Sequence, residues 1–466
     1  MTANTADVGG EAIHLSELLS ALGYALDLTE GQPEGHSLRC CWIGTAIGRE
    51  IGLSEPELWE LYYTLLLKDV GCSSNAARIT ALYKTDDLAF KRDAKIMGPR
   101  VPDMLRFVVG HTAGDAGMAT RLRTLASVIP QSPAVATEII ATRCERGADI
   151  ARRLHFSERV ADGIRALDEH WDGGGRPLGL KGNAIPVYSR IALLAQVVDV
   201  FNAFGHEAAL AEVRRRTGTW FDPAFVAKFV EVQTQLGFWE ALTTPHLESI
   251  ILTLEPGRGA KMLDEDFLDD IAEAFAEVVD SKSPYTSGHS SRVAELADRI
   301  AAELGFAPQR RRWLRRGALL HDIGKLGVSN LILDKPAKLT AAERDAMRQH
   351  ALYTERILSR IATFKELARV AGAHHERLDG KGYPHGRKGE AIALETRVLT
   401  AADIFDALTA ERPYRAAMDQ AKALAIMAGE VGTAIDPACF AALKAVLAKT
   451  GQSGLGASSH EETSAP

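Results

Sequence analysis

The sequence predicts an all-α fold of two tandem helical bundles, and three observations carry that prediction. Apolar residues recur at three- and four-residue steps, as in Phe267, Ile271, Phe275 and Val278 and again in Val293, Leu296, Ile300 and Leu304, the spacing that lines one face of a helix. Alternating patterns long enough for a half-buried strand are missing. Several short segments also occur twice in the same order, which marks a repeated structural unit.

Length and composition agree with this. At 466 residues the chain is too long for one ordinary core and suits two domains of roughly 200 residues. With 46% hydrophobic and 25% charged residues, burial can offset ordering entropy over most of the length, which excludes a disordered or fibrous protein. The net charge of −7 argues against a general nucleic-acid or anionic-membrane surface, since such surfaces need excess Lys and Arg; one local pocket can still take a small anion. Five sparse cysteines with no CxxC pair suit reduced thiols and a cytoplasmic location, with Cys40-Cys41 packed as small apolar residues. No stretch approaches the ~18 to 20 apolar residues needed to span a bilayer, and the opening MTANTADVGGEAIH has no secretory pattern.

In chain order, Gly35-His36-Ser37-Leu38-Arg39 opens the first unit and recurs as Gly288-His289-Ser290-Ser291-Arg292. Ser54 with Glu57 forms a capping-box start. Leu66-Leu67-Lys68-Asp69-Val70-Gly71 recurs as Leu319-Leu320-His321-Asp322-Ile323-Gly324, so both early pairs are offset by 253 positions (289 − 36 and 322 − 69). Asp172-Gly173-Gly174-Gly175-Arg176-Pro177 matches Asp379-Gly380-Lys381-Gly382-Tyr383-Pro384 at an offset of 207, and Asp222-Pro223-Ala224 matches Asp436-Pro437-Ala438 at 214. The falling offset places an insertion of 46 residues (253 − 207) in the first copy between Gly71 and about Arg143. The first unit is thus expected over 12–240 and the second over 264–450, joined by a connector through Pro256-Gly257-Arg258-Gly259. Thr340 with Glu343 is a second capping box, and Asp436-Pro437 a cap before a first-turn proline. The small, polar tail over 451–466 is expected to be disordered.

Chemistry concentrates in the second unit. His289, His321-Asp322, His350, His374-His375 and Asp403 form a compact series among fourteen histidines. Imidazole and carboxylate are ligands for divalent first-row metals, and this many exceed the needs of one tetrahedral ion, which points to two. Adjacent His321 and Asp322 suit a carboxylate between two ions with the imidazole on one of them. Such a centre clamps a phosphodiester and lowers the pKa of a bridging water. Lys325 follows one turn after His321 if the helix persists and would face the scissile phosphate. The glycines of Asp379-Gly380-Lys381-Gly382-Tyr383-Pro384 permit close backbone approach, and the Tyr-Pro step is expected to fix an extended exit from a loop that walls the site.

Gly288-His289, His321-Asp322-Ile323-Gly324-Lys325, His374-His375-Glu376 and Asp379-Gly380-Lys381-Gly382-Tyr383-Pro384, in this order and spacing, resemble the HD-GYP subfamily of HD-superfamily phosphohydrolases over essentially all of residues 264 to 450. The resemblance implies a phosphodiesterase that opens cyclic di-GMP to the linear dinucleotide or onward to GMP, with two iron or manganese ions. It makes His289, His321, Asp322, His350, His374, His375 and Asp403 the ligands, with Asp322 bridging, and Asp322 and Lys325 catalytic. Lys325, Gly382, Tyr383, Pro384, Asp406, Arg412 and Arg415 are the implied substrate contacts. Some members place Glu four residues before the first histidine and hold a third metal; Tyr285 stands there in this chain, which favours two.

At the matching places the first copy keeps His36 and Asp69 but has Lys68, Arg143, Leu167 and Asp168 for four histidines, Cys72 for the lysine and Arg176 for the tyrosine. Its last aspartate aligns with Gln196, or with Asp199 if a gap is allowed. Protonated Lys and Arg offer a metal no lone pair, so this copy is expected to be metal-free and structural or regulatory, with Lys68 and Arg143 as an alternative anion seat. Lone histidines such as His36, His111 and His170 read as hydrogen-bonded core residues, and the Arg310-Arg311-Arg312 and Arg315-Arg316 run as a solvated helix face or subunit contact over Trp313 and Leu314. The expected partner is a small cyclic dinucleotide, with no nucleic acid and no membrane; homodimerisation stays open. Two other readings compete: an HD phosphohydrolase acting on another cyclic dinucleotide or nucleotide phosphate, and a non-catalytic receptor. The receptor reading predicts eroded ligands in the second unit, and none are eroded.

Overall fold

The computed structural model describes residues 14–98, 101–114, 117–129, 132–257, 263–411 and 416–452. Among them every regular element is helical, and isolated bridges join Thr217 with Phe221 and Val431 with Ile435. Those bridges are themselves one repeat apart. Helix starts fall where the sequence places them: Ser54 and Glu57 cap Glu55–Leu67, Thr340 and Glu343 cap Ala341–Ser359, and Asp436 accepts the amides of Ala438 (2.8 Å) and Cys439 (3.1 Å) at the head of Pro437–Gln452. That last helix includes Gly451 and Gln452, where the tail was expected to begin; 453–466, and Arg258-Gly259 of the connector, lie outside the described residues.

The repeat is visible in the backbone. His36 opens helix His36–Glu50 and His289 opens His289–Glu303, each behind a left-handed glycine, Gly35 (φ 85°) and Gly288 (φ 66°). Helices Glu55–Leu67 and Pro308–Leu320 each run into a 3-10 turn, Cys72–Asn75 and Ile323–Gly327. A Cβ on Gly71 would lie 1.9 Å from the Arg143 carbonyl oxygen, and one on Gly324 1.9 Å from that of His350. Glycine therefore lets each turn press against the following long helix, Ser132–Arg153 or Ala341–Ser359. The Tyr-Pro step expected to be an extended exit is instead a cis peptide, Tyr383–Pro384, matched by cis Arg176–Pro177.

The insertion supplies helices Ala76–Tyr83, Asp87–Lys95, Val101–His111 and Met118–Val128, and gathers a small core of its own around Ile79, Tyr83, Phe90 and Val128. Elsewhere most of the buried apolar side chains, from Leu15 to Leu443, form one contiguous cluster, so the two halves share a core. Helix Leu15–Thr29, buried on nearly every side, joins them: it packs on the turn Ile323–Gly327 and on helix Ala341–Ser359. All five cysteines are free and buried, and burial pushes the Cys40 and Cys41 thiols up. No described helix is long and apolar enough to cross a membrane.

The arginine run is spent internally. Arg312 and Arg316 pair with Asp266, Asp269 and Glu265 on the neighbouring helix Glu265–Asp280, Arg315 with Glu273, Arg311 with Asp298, and Arg310 with Glu366 and Glu395. Arg310 also lies 3.8 Å over the Trp313 ring. With each cation matched to a carboxylate, this face offers no surplus charge to a polyanion.

Candidate functional site

Five separate segments of the second half converge on one buried carboxylate. His289 enters from the head of helix His289–Glu303, His321 and Asp322 from the end of Pro308–Leu320, and His350 from the middle of Ala341–Ser359. His374 and His375 follow helix Lys365–Ala371, and Asp403 lies in Leu394–Thr409. Oδ2 of Asp322 faces Nε2 of His289 and of His321, each at 3.3 Å, while Oδ1 faces Nε2 of His350 at 3.6 Å and of His374 at 3.8 Å. Asp403 Oδ1 completes the first side, 3.5 Å from His289 and 3.9 Å from His321. His350, His374 and His375 bring one nitrogen each within 4.8 Å of one another on the second side.

Two subsites sharing Asp322 is the pattern a dinuclear centre needs. Donors about 2.1 Å from one ion lie roughly 3 to 3.5 Å apart, close to the separations here. The tautomers also suit it. Nδ1 of His321, His350 and His374 donates to the carbonyls of Ala318 (2.6 Å), Met347 (2.6 Å) and Ala371 (2.7 Å), which leaves each Nε2 lone pair pointing inward. Nε2 of His289 and His321 and Oδ1 of Asp322 are buried without a hydrogen-bond partner, a costly arrangement unless a cation takes them up. Burial lowers the pKa of His350 and His375, and that of His374 to about 3, so these rings stand neutral and ready to bind. Burial acts against Asp322, yet His321 and Lys325 hold it well below the usual carboxylate range.

Other expected residues are placed differently. The helix does not persist to Lys325: it ends at Leu320, and the 3-10 turn Ile323–Gly327 swings Lys325 so that its ammonium rests on Asp322 Oδ2. Asp406, expected among the substrate contacts, lies behind His289 instead. Its Oδ2 is 2.7 Å from His289 Nδ1, and Arg292 holds its other oxygen at 2.6 Å. The residue is buried there because it sits one turn beyond Asp403, facing the same helix. Tyr383 walls the opening, its ring 4.7 Å from that of His375 and under Arg348 at 5.2 Å. Gly382, beside Pro384, lies so close to the chain that a Cβ would stand 2.4 Å from the Arg377 amide nitrogen. Arg412 and Arg415 lie outside the described residues.

Some supports were not singled out from the sequence. Glu376 accepts the amides of His385 (2.7 Å) and Arg387 (2.9 Å) and so closes the loop after the paired histidines. Thr354 and Thr400 donate to the carbonyls of His321 (2.8 Å) and His374 (2.7 Å). The glutamate has a sequence signal, since Glu169 does the same for Leu178 and Leu180 at the matching place.

The corresponding place in the first half is filled by cations of the chain itself. Lys68 lies against Asp69 Oδ2 and 3.0 Å from His36 Nε2. Lys95, from the insertion, lies 3.7 Å from Asp69 Oδ1 and 2.9 Å from Glu30. Gln196 stands where Asp403 does, 3.4 Å from Lys68, and Asp199 repeats Asp406, 2.6 Å from His36 Nδ1 with Arg39 beside it. Arg143 pairs with Asp168 and reaches Cys72 at 3.4 Å. Both cations proposed as an anion seat are thus already paired. His111 is satisfied by Phe107 and Asp93, and His170 stacks on Trp220.

A family profile described as HD domain matches residues 130–225 and 256–439. The chain is 55% identical over 438 residues, 93% of its length and 94% of the relative's, to 3'3'-cGAMP-specific phosphodiesterase 3 of Vibrio cholerae. Over 171 residues, 36% of this chain and 45% of the other, it is 38% identical to the cyclic di-GMP phosphodiesterase response regulator RpfG of Xanthomonas campestris. Among solved structures, the crystal structure of the cyclic GMP-AMP specific phosphodiesterase V-cGAP3 of V. cholerae superposes with a TM-score of 0.66 at 49% identity, covering 94% of this chain and 98% of that one.

Proposed function

Because this chain belongs to the HD domain family, and within it to the HD-GYP phosphodiesterases, we propose that it hydrolyses a phosphodiester bond of 3'3'-cGAMP at the cluster around Asp322. The observation that carries the hydrolytic reading is the division of Asp322 between two sets of imidazoles, His289 and His321 on one oxygen and His350 and His374 on the other. Two divalent ions, iron or manganese, bound by these residues with His375 and Asp403 would supply Lewis-acid activation of the phosphodiester and of water.

The chain's own residues do the rest. Asp322 sets the spacing of the two subsites, and backbone carbonyls fix the histidine tautomers. Lys325 is the cation adjoining the cluster and bears charge that develops on the phosphoryl oxygens. Tyr383, with Arg348 over its ring and His375 against it, walls the site that receives the dinucleotide, and Gly382 and Pro384 shape the same wall. Residues 12–240 form a degenerate, metal-free unit, and 264–450 the catalytic one.

Likeness to the 3'3'-cGAMP-specific enzyme runs through both halves, whereas likeness to the cyclic di-GMP enzyme RpfG covers about a third of the chain. That extent favours cGAMP over cyclic di-GMP, the substrate implied by the motifs alone. The test is hydrolysis of the two cyclic dinucleotides in parallel by Mn(II)- or Fe(II)-loaded protein. A higher kcat/KM for 3'3'-cGAMP is expected; the reverse preference moves the reading to cyclic di-GMP. Hydrolysis of neither by protein holding two metal ions overturns it.

A further inference from the structure

We propose that Asp87, in the insertion of the silent half, is a positioning residue for the catalytic site of the other half. It sits at the start of helix Asp87–Lys95 and is fully buried. Its Oδ1 accepts the Asn330 amide at 2.7 Å, and its Oδ2 accepts the Lys282 ammonium at 3.4 Å. Lys282, 1% exposed, also donates to the carbonyl of Leu326 at 3.2 Å. Leu326 follows Lys325 in the turn Ile323–Gly327.

Two catalytic segments are joined through these contacts. Asn330 donates from its side chain to the Lys282 carbonyl (2.7 Å) and to Asp334 (2.7 Å), and Ser283 bonds the other oxygen of Asp334. The segment 280–289 delivers His289, and Thr286 passes the tie on through its carbonyl to the His289 amide at 3.0 Å. The segment 322–334 delivers Asp322 and Lys325. Asp87 closes this knot from outside, with charge for Lys282 and an acceptor for a backbone amide that no longer reaches water.

The far end of the same helix is pinned in the silent site. Lys95 lies on Glu30 and Asp69, and midway Lys91 donates to the Thr29 carbonyl at 3.0 Å. Lys95, one of the two lysines at the first-half site, thus anchors the helix that braces the other half. The inference rests on the phosphodiesterase reading for its activity readout and has a second readout that does not.

The experiment is Asp87→Asn in the full chain loaded with Mn(II). Misplacement of a catalytic group lowers turnover more than binding, so kcat toward 3'3'-cGAMP falls roughly tenfold or more while KM stays within about twofold. Mn(II) stoichiometry is unchanged, and hydrogen exchange of amides 323–334 accelerates. The paired variant Asp87→Asn/Lys282→Met removes the buried cation that Asp87 Oδ2 meets at 3.4 Å, leaves Lys91, 3.7 Å from the same oxygen, to the Thr29 carbonyl, and decides the matter if the single variant fails to fold: its thermal midpoint recovers toward wild type, and its kcat stays low because Leu326 has lost its donor. Wild-type kcat and exchange in either folded variant overturn the proposal, as does joint recovery of midpoint and kcat in the pair. If wild-type protein turns over no cyclic dinucleotide, the phosphodiesterase reading fails, while the exchange of 323–334 still tests the brace.

Discussion

Asp69 and Asp322 occupy the same step of the repeat and are equally buried, at 1% and 2% exposure. They differ in what faces their oxygens. Asp322 meets two imidazoles on each oxygen and one ammonium, that of Lys325, whereas Asp69 meets two ammonium groups, those of Lys68 and Lys95, and one imidazole, that of His36 at 3.9 Å. The first histidine of each half registers the change. Burial together with Lys68 and Lys95 lowers the His36 pKa to about 4, while at His289 the carboxylates of Asp322 and Asp406 outweigh burial and raise it to about 9. A buried carboxylate requires positive charge nearby. Covalently attached Lys68 and Lys95 meet that requirement at Asp69, whereas around Asp322 the imidazoles turn their Nε2 lone pairs inward, which is why the proposed chemistry is placed in the second half alone.

Removing the two carboxylates breaks the comparison most sharply. Asp322→Ala is expected to lower turnover by at least roughly 10³-fold, and metal analysis should find both ions lost, since both subsites share this residue. Asp69→Ala should leave two metals bound but strand the buried Lys68 ammonium and leave Lys95 to Glu30 alone, at a cost of roughly 3 to 5 kcal/mol in urea unfolding. A catalytically competent Asp322→Ala protein, or an Asp69→Ala protein that loses metal yet keeps its stability, would show that the two halves do not divide structure and catalysis in this way.

His36 gives the next largest effect, through pH. The groups facing it are Asp199, Lys68, Asp69 and Cys40. Its folded pKa, about 4, lies below the ordinary 6.5, so between these values the unfolded chain binds the extra proton. Stability from this group is therefore complete above pH 6.5 and is lost as pH falls through 4, by up to about 3 kcal/mol. His36→Gln removes the titration. The stability gap between wild type and this variant should narrow on going from pH 7 to pH 4.5 in urea melts, and a gap independent of pH would refute the assignment.

Much of this was legible in the sequence, because repeat offsets and ligand types survive without a structure. His289, His321-Asp322, His350, His374-His375 and Asp403 do meet at one point, since each lies at a helix end or on an inward helix face. Lys95 and Glu30 were illegible for a physical reason: Lys95 lies in the insertion, where the repeat has no counterpart, and Glu30 matches an uncharged serine, Ser283. Lys325 was misplaced because helical periodicity does not reveal where a helix tightens into a 3-10 turn. The arginine run looked like exposed charge because its partners on Glu265–Asp280 are about forty residues away in sequence, as in Arg312 with Asp269.

The finest distinction concerns Asp406 and Asp199, whose contacts to histidine Nδ1 are nearly identical at 2.7 and 2.6 Å. Each also carries an arginine, Arg292 or Arg39. If Asp406 serves to orient a metal-binding ring, Asp406→Asn should weaken Mn(II) binding by about 10- to 100-fold, the usual effect of removing such support, with a smaller change in unfolding free energy. Asp199→Asn should leave Mn(II) binding unchanged, because the ring that it orients points at Lys68. Equal losses of affinity in both variants would mean that the first half takes part in metal binding after all. Loss in neither would return Asp406 to the set of candidate substrate contacts, where KM for the cyclic dinucleotide becomes the quantity to measure.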